Sequence, residues 1–239
     1  MYAKFAPYYD KVGWDKYSYR LFHKLLPLLK EKGGKDVSLL DLGCGTGTLV
    51  LEAAKHGFSA DGVDISREMI EVARSKDNLG QANFYVANIC SFKTERRYDF
   101  ITCFYTLDHL VASGRLLSAF VNIRQCLRDG GNFIFDIKDK IGFDNRNPGF
   151  RKKTPNYLVV RRSFSNPLTG LVTKKLLLLV KNDHQKCVTI RGNLKERGYS
   201  KQEIREVLTR AKFIEEQVID LGQGDPQSNA EKRVFWQVK

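Results

Sequence analysis

Apolar and polar positions fall into two kinds of block along the first 140 residues. Residues 37–42 are almost continuously apolar, the pattern of a short strand buried on both faces, and Leu49, Val50, Ala53 and Ala54 then recur at helical spacing. The succession repeats. "SADGVD" ends a second strand at Asp64, Ser66 is placed to cap a helix with Met69, Ile70 and Ala73 on one face, and "NFYVA" is a third strand. "YDFITCFY" (98–105) is a fourth. Residues 116–127 have helical spacing up to a stop at Asp129-Gly130-Gly131, and "NFIFDI" (132–137) is a fifth strand. An aromatic-rich helix over 16–30 precedes them all. Strands alternating with helices predict an α/β fold, a doubly wound and mostly parallel sheet with helices on both faces.

The pattern changes after residue 137. A polar stretch with proline and glycine (138–156) reads as a loop. Three strand-like runs follow, "YLVVRRSF", "LVTKKLLLLVK" and "KCVTIRGNL", separated by the turns "SNPLTG" and "NDHQ". They predict an antiparallel meander. "SKQEIREVLTRA" returns to helix with Ser200 and Glu203 spaced as a capping box, and "FIEEQVIDL" and "KRVFWQV" predict two closing strands. The expected organisation is one domain of residues 1–140 and 198–239, with a small antiparallel β insertion at 141–197 serving as a substrate cap.

The turn after the first strand is "LGCGTG", with Gly43, Gly45 and Gly47 at alternate positions. Open parallel sheets bind ligands beyond the carboxyl ends of their strands, and glycine there lets a ligand approach the backbone. Asp41 precedes the first glycine by two positions. Asp64 ends the second strand where a ribose-binding acid belongs, and Asn88 follows the third, where a polar side chain can meet an adenine edge. The G-x-G-x-G spacing differs from the G-x-G-x-x-G of nicotinamide enzymes. It suits a ligand with an adenosine and a cationic amino-acid end.

Together "LLDLGCGTG", "GVDISREMI" and "YDFITCFYTLDHL" resemble class I S-adenosylmethionine (SAM)-dependent methyltransferases. "FAPYYDKV" and the basic meander resemble their small-molecule, sugar N-methyltransferase-like subgroup. The resemblance implies a seven-stranded Rossmann-like sheet, SAM as cofactor and S-adenosylhomocysteine as product. It implies that Gly43, Cys44, Gly45, Thr46 and Gly47 wrap the methionine part, that Asp41 lies near the methionine amine, and that Asp64 accepts from both ribose hydroxyls. Ile65 and Met69 pack on the adenine face in such proteins. Asn88, Ile89 and Phe104 are the further expected cofactor contacts, and Tyr9 and Tyr17 cover the site from the N-terminal side. Methyl transfer from a sulfonium chiefly needs alignment, and a general base serves an amine or hydroxyl acceptor; no metal is required. His109, just after the fourth strand, is the expected base, with Asp108 orienting it or an amine. Arg161, Arg162, Arg197 and Tyr199 are the expected substrate contacts. Strand neighbours alternate faces, so one of Arg161 and Arg162, and one of Lys174 and Lys175, should face the pocket. Members of the subgroup often carry a His near the position of Leu194.

Charge and composition refine the acceptor. From Lys138 to the end there are 22 Lys and Arg against 11 Asp and Glu, so most of the net charge of +13 lies in the part that should hold the acceptor. That balance suggests an anionic small substrate. An RNA or protein methyltransferase is the alternative, although "FYTL" stands where base-amine methylators carry an N-P-P-Y-type tetrapeptide. A non-catalytic SAM- or NAD-binding protein is the third reading. Five scattered cysteines without a C-x-x-C pair, and four scattered histidines, give no metal-ligand spacing. No run reaches the roughly 18–20 apolar residues of a membrane span, and the first twenty residues lack a signal-peptide pattern. The expectation is a cytoplasmic protein, monomer or homodimer, with no membrane partner.

Overall fold

The structure is a computed structural model that describes residues 2–33, 37–140, 149–166, 168–182, 184, 186–214, 216–221 and 233–239. The chain opens with a short helix, α1 (Tyr2–Phe5), a 3-10 turn at Ala6–Tyr8, and α2 (Lys16–Glu31). Strand and helix then alternate through β1 (Ser38–Leu42), α3 (Thr48–Lys55), β2 (Ser59–Asp64), α4 (Arg67–Lys76), β3 (Ala82–Val86), β4 (Tyr98–Cys103), α5 (Arg115–Cys126) and β5 (Leu127–Lys138). Four strands follow: β6 (Gly149–Lys153), β7 (Tyr157–Asn166), β8 (Leu171–Lys181) and β9 (Cys187–Arg197). α6 (Lys201–Arg210), β10 (Glu216–Ile219) and β11 (Arg233–Val238) close the chain.

Seven strands form one sheet in the order β10-β11-β5-β4-β1-β2-β3. β11 is antiparallel to both neighbours, and the remaining strands share one direction. The fold is therefore the expected mostly parallel Rossmann-like α/β sheet. Strand order reverses between β1 and β4, so the crevice beyond their carboxyl ends is the natural ligand site. Every residue of β1 is buried because helices cover both faces, which is why its sequence is a run and not an alternation. Ser66 caps α4 by accepting from Met69 N, and Ser200 and Glu203 form the full capping box of α6.

β6–β9 form a second, antiparallel sheet. Phe5 and Val12 of the N-terminal segment pack with Val159, Leu178, Val180 and Ile190 on its inner face. The N-terminal segment thus links the two sheets. Three differences from the sequence expectation concern strand extent, and in the first β4 stops at Cys103, short of the expected 105. β6 lies within the stretch expected as loop: exposed Gly149, Arg151 and Lys153 alternate with the half-buried Phe150 and Lys152 on an edge strand, and Lys152 sits over the Tyr157 ring. The part of that expected loop at 141–148 lies outside the described residues, as do Asp183 and Gln185 of the turn "NDHQ". Asp129-Gly130-Gly131 lies inside β5. α5 has already ended at Cys126, and a Cβ on Gly131 would meet the Arg128 and Tyr98 carbonyl oxygens at 2.9 and 3.0 Å. Among the described residues, no helix is long and apolar enough to cross a membrane.

Candidate active site

A cavity of about 540 Å³ opens at the carboxyl ends of β1, β2 and β4. Its other walls are the N-terminal segment and the inner face of the β6–β9 sheet. The three glycines after β1 serve different ends. A Cβ on Gly43 would lie 2.0 Å from Thr106 Oγ1, and one on Gly47 would lie 2.7 Å from the Phe84 ring, so both are set by packing. Gly45 is different. Its φ is +56°, and a Cβ there would meet nothing within 4 Å, because it would project into the cavity. Thr46 Oγ1 donates to Asp10 Oδ1 at 2.7 Å, and Lys76 Nζ pairs with Asp10 Oδ2 at 2.7 Å. These bonds tie the N-terminal segment to the loop and to α4.

Asp64, at the end of β2, faces the cavity and also shapes it. Its Oδ2 accepts from Gly45 N at 3.0 Å and its Oδ1 from Ser66 N at 2.8 Å. Burial pushes its pKa up while these backbone donors oppose the rise. Ile65 lines the cavity and is 66% exposed, an apolar side chain with a face available to a ligand. Met69 and Ile89 line the same wall and are buried. Asn88 lines it too, with Oδ1 accepting from Cys90 N at 3.0 Å. Tyr9, Tyr17, Cys44 and Phe104 complete this half. Asp15 also lines it, and its Oδ1 is buried with no hydrogen-bond partner.

The other half lies between the turn after β4 and the second sheet. His109 Nε2 accepts from the Tyr2 hydroxyl at 2.8 Å, and the two rings meet edge to face. With Tyr2 donating, the imidazole proton sits on Nδ1, 3.4 Å from the Lys195 carbonyl oxygen. Burial raises the Tyr2 pKa well above the usual tyrosine range, so the phenol stays a donor. Arg161 lines the cavity and lies over the Phe150 ring, and Lys174 and Glu196 line it beside them. Glu196 Oε2 accepts from both Lys138 and Lys174. Burial opposes ionisation there, but the two lysines hold the Glu196 carboxyl well below the usual range.

Several expected site residues stand elsewhere. Asp41 is buried in the sheet, outside the cavity lining, with Thr102 Oγ1 donating to its Oδ1 at 2.7 Å; burial pushes its pKa up to about 7. Gly47 faces Phe84 and Ala73. Asp108 borders the cavity, but its carboxylate is engaged by Arg233 Nη2 at 2.6 Å and Lys138 N at 3.0 Å, so it is not placed to orient His109. Arg162 is exposed on the outer face of β7, the alternation having turned Arg161 inward. Lys175 is likewise exposed, and Lys174 is the inward member of its pair. Arg197 pairs with Glu203 at 2.6 Å and stacks on Tyr199, whose hydroxyl donates to the Leu110 carbonyl. Both lie outside the main cavity. Tyr2 and Glu196 were not legible as site residues, because only the meeting of the N-terminal segment with the second sheet brings them there; Asp15 carries no local signal, and Tyr105 could have been found from its place after β4 beside Phe104.

A family profile described as a methyltransferase domain matches residues 14–162. A protein of Geobacillus sp. (strain WCH70) named as a methyltransferase is 25% identical, the alignment covering 100% of this chain and 99% of that one. The crystal structure of an S-adenosylmethionine-dependent methyltransferase from Clostridium acetobutylicum superposes with a TM-score of 0.80 at 23% identity, covering 100% and 98% of the two chains. The sugar N-methyltransferase KedS8 from Streptoalloteichus sp. superposes with a TM-score of 0.72 at 20% identity, covering 91% and 85%. The structural likenesses show the fold, and the profile, matching well over half of the chain, shows the family. The chain belongs to the methyltransferase domain family and is a SAM-dependent methyltransferase.

Proposed function

We propose that the chain transfers the methyl group of SAM to a nitrogen or oxygen of a small molecule that carries an acidic group. The observation that carries this reading is the polarity of one cavity: Asp64 and the open face of Gly45 stand at one end, and His109, Arg161 and Lys174 at the other. The first end suits SAM. Gly45 leaves room against its backbone, Asp64 offers a carboxylate to ribose hydroxyls, Ile65 offers an apolar face, and the unpartnered Asp15 Oδ1 suits a cationic amine. When bound, SAM supplies a methyl group already activated on a sulfonium.

The protein's part is alignment and proton management. The proton that an amine or hydroxyl acceptor must lose passes to the Tyr2 oxygen as Tyr2 gives its own proton to His109 Nε2, the one lone pair of the imidazole. The β6–β9 sheet acts as a cap. Phe5, Phe150 and Leu176 give its side of the cavity an apolar lining that sheds water, while Arg161 and Lys174 receive a phosphate or carboxylate. The sugar N-methyltransferase among the similar folds supports an amine acceptor. The enclosure of the cavity between the N-terminal segment and the cap favours a small acceptor over RNA or a protein chain.

The test is transfer from methyl-labelled SAM to a panel of amines and hydroxy compounds, each offered with and without a phosphate or carboxylate. Transfer favouring the acidic members, lost in His109→Asn, supports the reading. Equal transfer to neutral members removes the acidic specificity, and full activity of His109→Asn removes the base.

A further inference from the structure

We infer that Arg233 is a positioning residue for methyl transfer: its one guanidinium fixes both ends of the turn from Tyr105 to His109. The inference rests on the reading of His109 as the base. β11 starts at Arg233, paired with Lys138 at the carboxyl end of β5, the same end of the sheet as the cavity. At the first end of the turn, Asp136 Oδ1 accepts the Tyr105 N–H at 2.8 Å, and Asp136 Oδ2 accepts from Arg233 Nε at 2.5 Å. Tyr105 has a φ of 53°, in the left-handed region that a bulky L residue rarely enters. The guanidinium covers the Tyr105 ring with Cζ 3.8 Å from its centroid, and Tyr17 of α2 meets the same ring edge-on at 4.4 Å. At the second end, Arg233 Nη2 donates to Asp108 Oδ2 at 2.6 Å, and Asp108 is the residue before His109.

The chemistry of this cluster points away from simple stability. Arg233, Asp108 and Asp136 are all buried, and desolvating ionised groups is costly enough that apolar residues of like volume usually hold a strand as well. β11 already has such residues in Phe235, Trp236 and Val238. What apolar residues cannot supply is direction. The fork of Arg233 reads two carboxylates at once, one binding the backbone of Tyr105 and the other preceding His109. The turn is held in an unfavourable conformation at Tyr105, and His109 is presented where Tyr2 can reach it.

The test uses the full chain labelled at histidine, with S-adenosylhomocysteine as the bound probe. Imidazole resonances are compared between wild type, Arg233→Lys and Arg233→Met, His109 being assigned through His109→Gln. The expected result is that the His109 resonances shift or broaden while those of His23 and His56 stay, with product affinity within about threefold of wild type. Wild-type His109 resonances in a folded Arg233 variant overturn the inference. Should both variants fail to fold, Asp136→Asn, a nearly isosteric change, carries the same comparison. Turnover of labelled SAM on a small-molecule extract supplies a second readout. Arg233→Lys should lower kcat at least about tenfold, and the double variant with His109→Asn should be no slower than His109→Asn alone. Additive losses overturn the inference. A His109→Asn enzyme with full turnover instead removes the base assignment, leaving the resonance comparison to decide the positioning.

Discussion

The hydroxyl of Tyr2 lies 2.8 Å from Nε2 of His109, so a residue of the short first helix meets the turn after β4 across the cavity. If His109 receives the acceptor's proton, removing the imidazole should act on the chemical step. His109→Asn should lower kcat by about 10²–10⁴ with product affinity unchanged. Tyr2→Phe leaves the imidazole but not its partner, and a loss of about 5–50-fold is expected. Steady-state kinetics beside calorimetry with S-adenosylhomocysteine checks both. A Tyr2→Phe enzyme with wild-type kcat would show that the contact only closes the cavity.

Asp64 is placed to serve twice, holding the glycine loop through Gly45 N and facing the cavity. Asp64→Ala should weaken S-adenosylhomocysteine binding by about 1.5–3 kcal/mol, the scale of hydrogen bonds to a charged group. Unchanged affinity by calorimetry would remove Asp64 from the cofactor site.

The glycines should separate into two behaviours. Gly43→Val and Gly47→Val drive a Cβ into Thr106 or Phe84 and should prevent normal folding. The Cβ of Gly45→Val meets nothing within 4 Å, so the chain should fold at a cost of about 1–2 kcal/mol for its positive φ and fail to bind SAM. Thermal unfolding and SAM titration of the three variants give the comparison. Normal SAM binding by folded Gly45→Val would show that no ligand passes close to that backbone.

Asp41 makes stability depend on pH. Its folded pKa, about 7, lies above the ordinary carboxyl value because the group is buried. A raised folded pKa contributes stability that is fully present below the unfolded pKa and is lost as pH rises toward 7. Asp41→Asn, which keeps an oxygen for Thr102, should therefore gain on wild type by about 2–4 kcal/mol between pH 4 and pH 8. Urea unfolding of both proteins at several pH values measures it. A constant difference would mean that Asp41 titrates normally.

Arg161 and Arg162 are adjacent in β7 but face opposite ways. Arg161→Ala should raise the acceptor KM about 10–100-fold at unchanged SAM KM, and Arg162→Ala should change neither by more than about twofold. Kinetics of the two variants on the same acceptor decides. Equal effects would contradict a charged cap with one working face.

The sheet was legible because its order of strands and helices follows from two hydrophobic periods, and because β1 is a five-residue buried run ending in glycine. The residues lining the first half of the cavity were legible for a related reason. Asp64 ends one parallel strand, Ile65 follows it, and Asn88 follows the next, so position in sequence fixes position in space. Asp41 was misplaced because the chain does not record which way a residue of a doubly covered strand faces, and Thr102 of the neighbouring strand decides it. The acceptor half was only partly legible. Alternation said that one of Arg161 and Arg162 turns inward, but not which. Tyr2 reaches His109 from 107 residues along the chain, through packing that has no local signature, whereas Glu196 meets Lys174 diagonally across the β8–β9 pair. Arg233 opens the closing strand with no local sign in the sequence that it is buried. Two buried aspartates, 97 and 125 residues away, make it an interior charge.

The most direct measurement incubates the protein with methyl-labelled SAM and a small-molecule extract, then identifies the labelled product by mass. The account predicts label on a nitrogen or oxygen of a compound bearing a phosphate or carboxylate, with the signal lost in His109→Asn. Label found only in RNA or protein, or on a neutral acceptor with His109→Asn fully active, would contradict it.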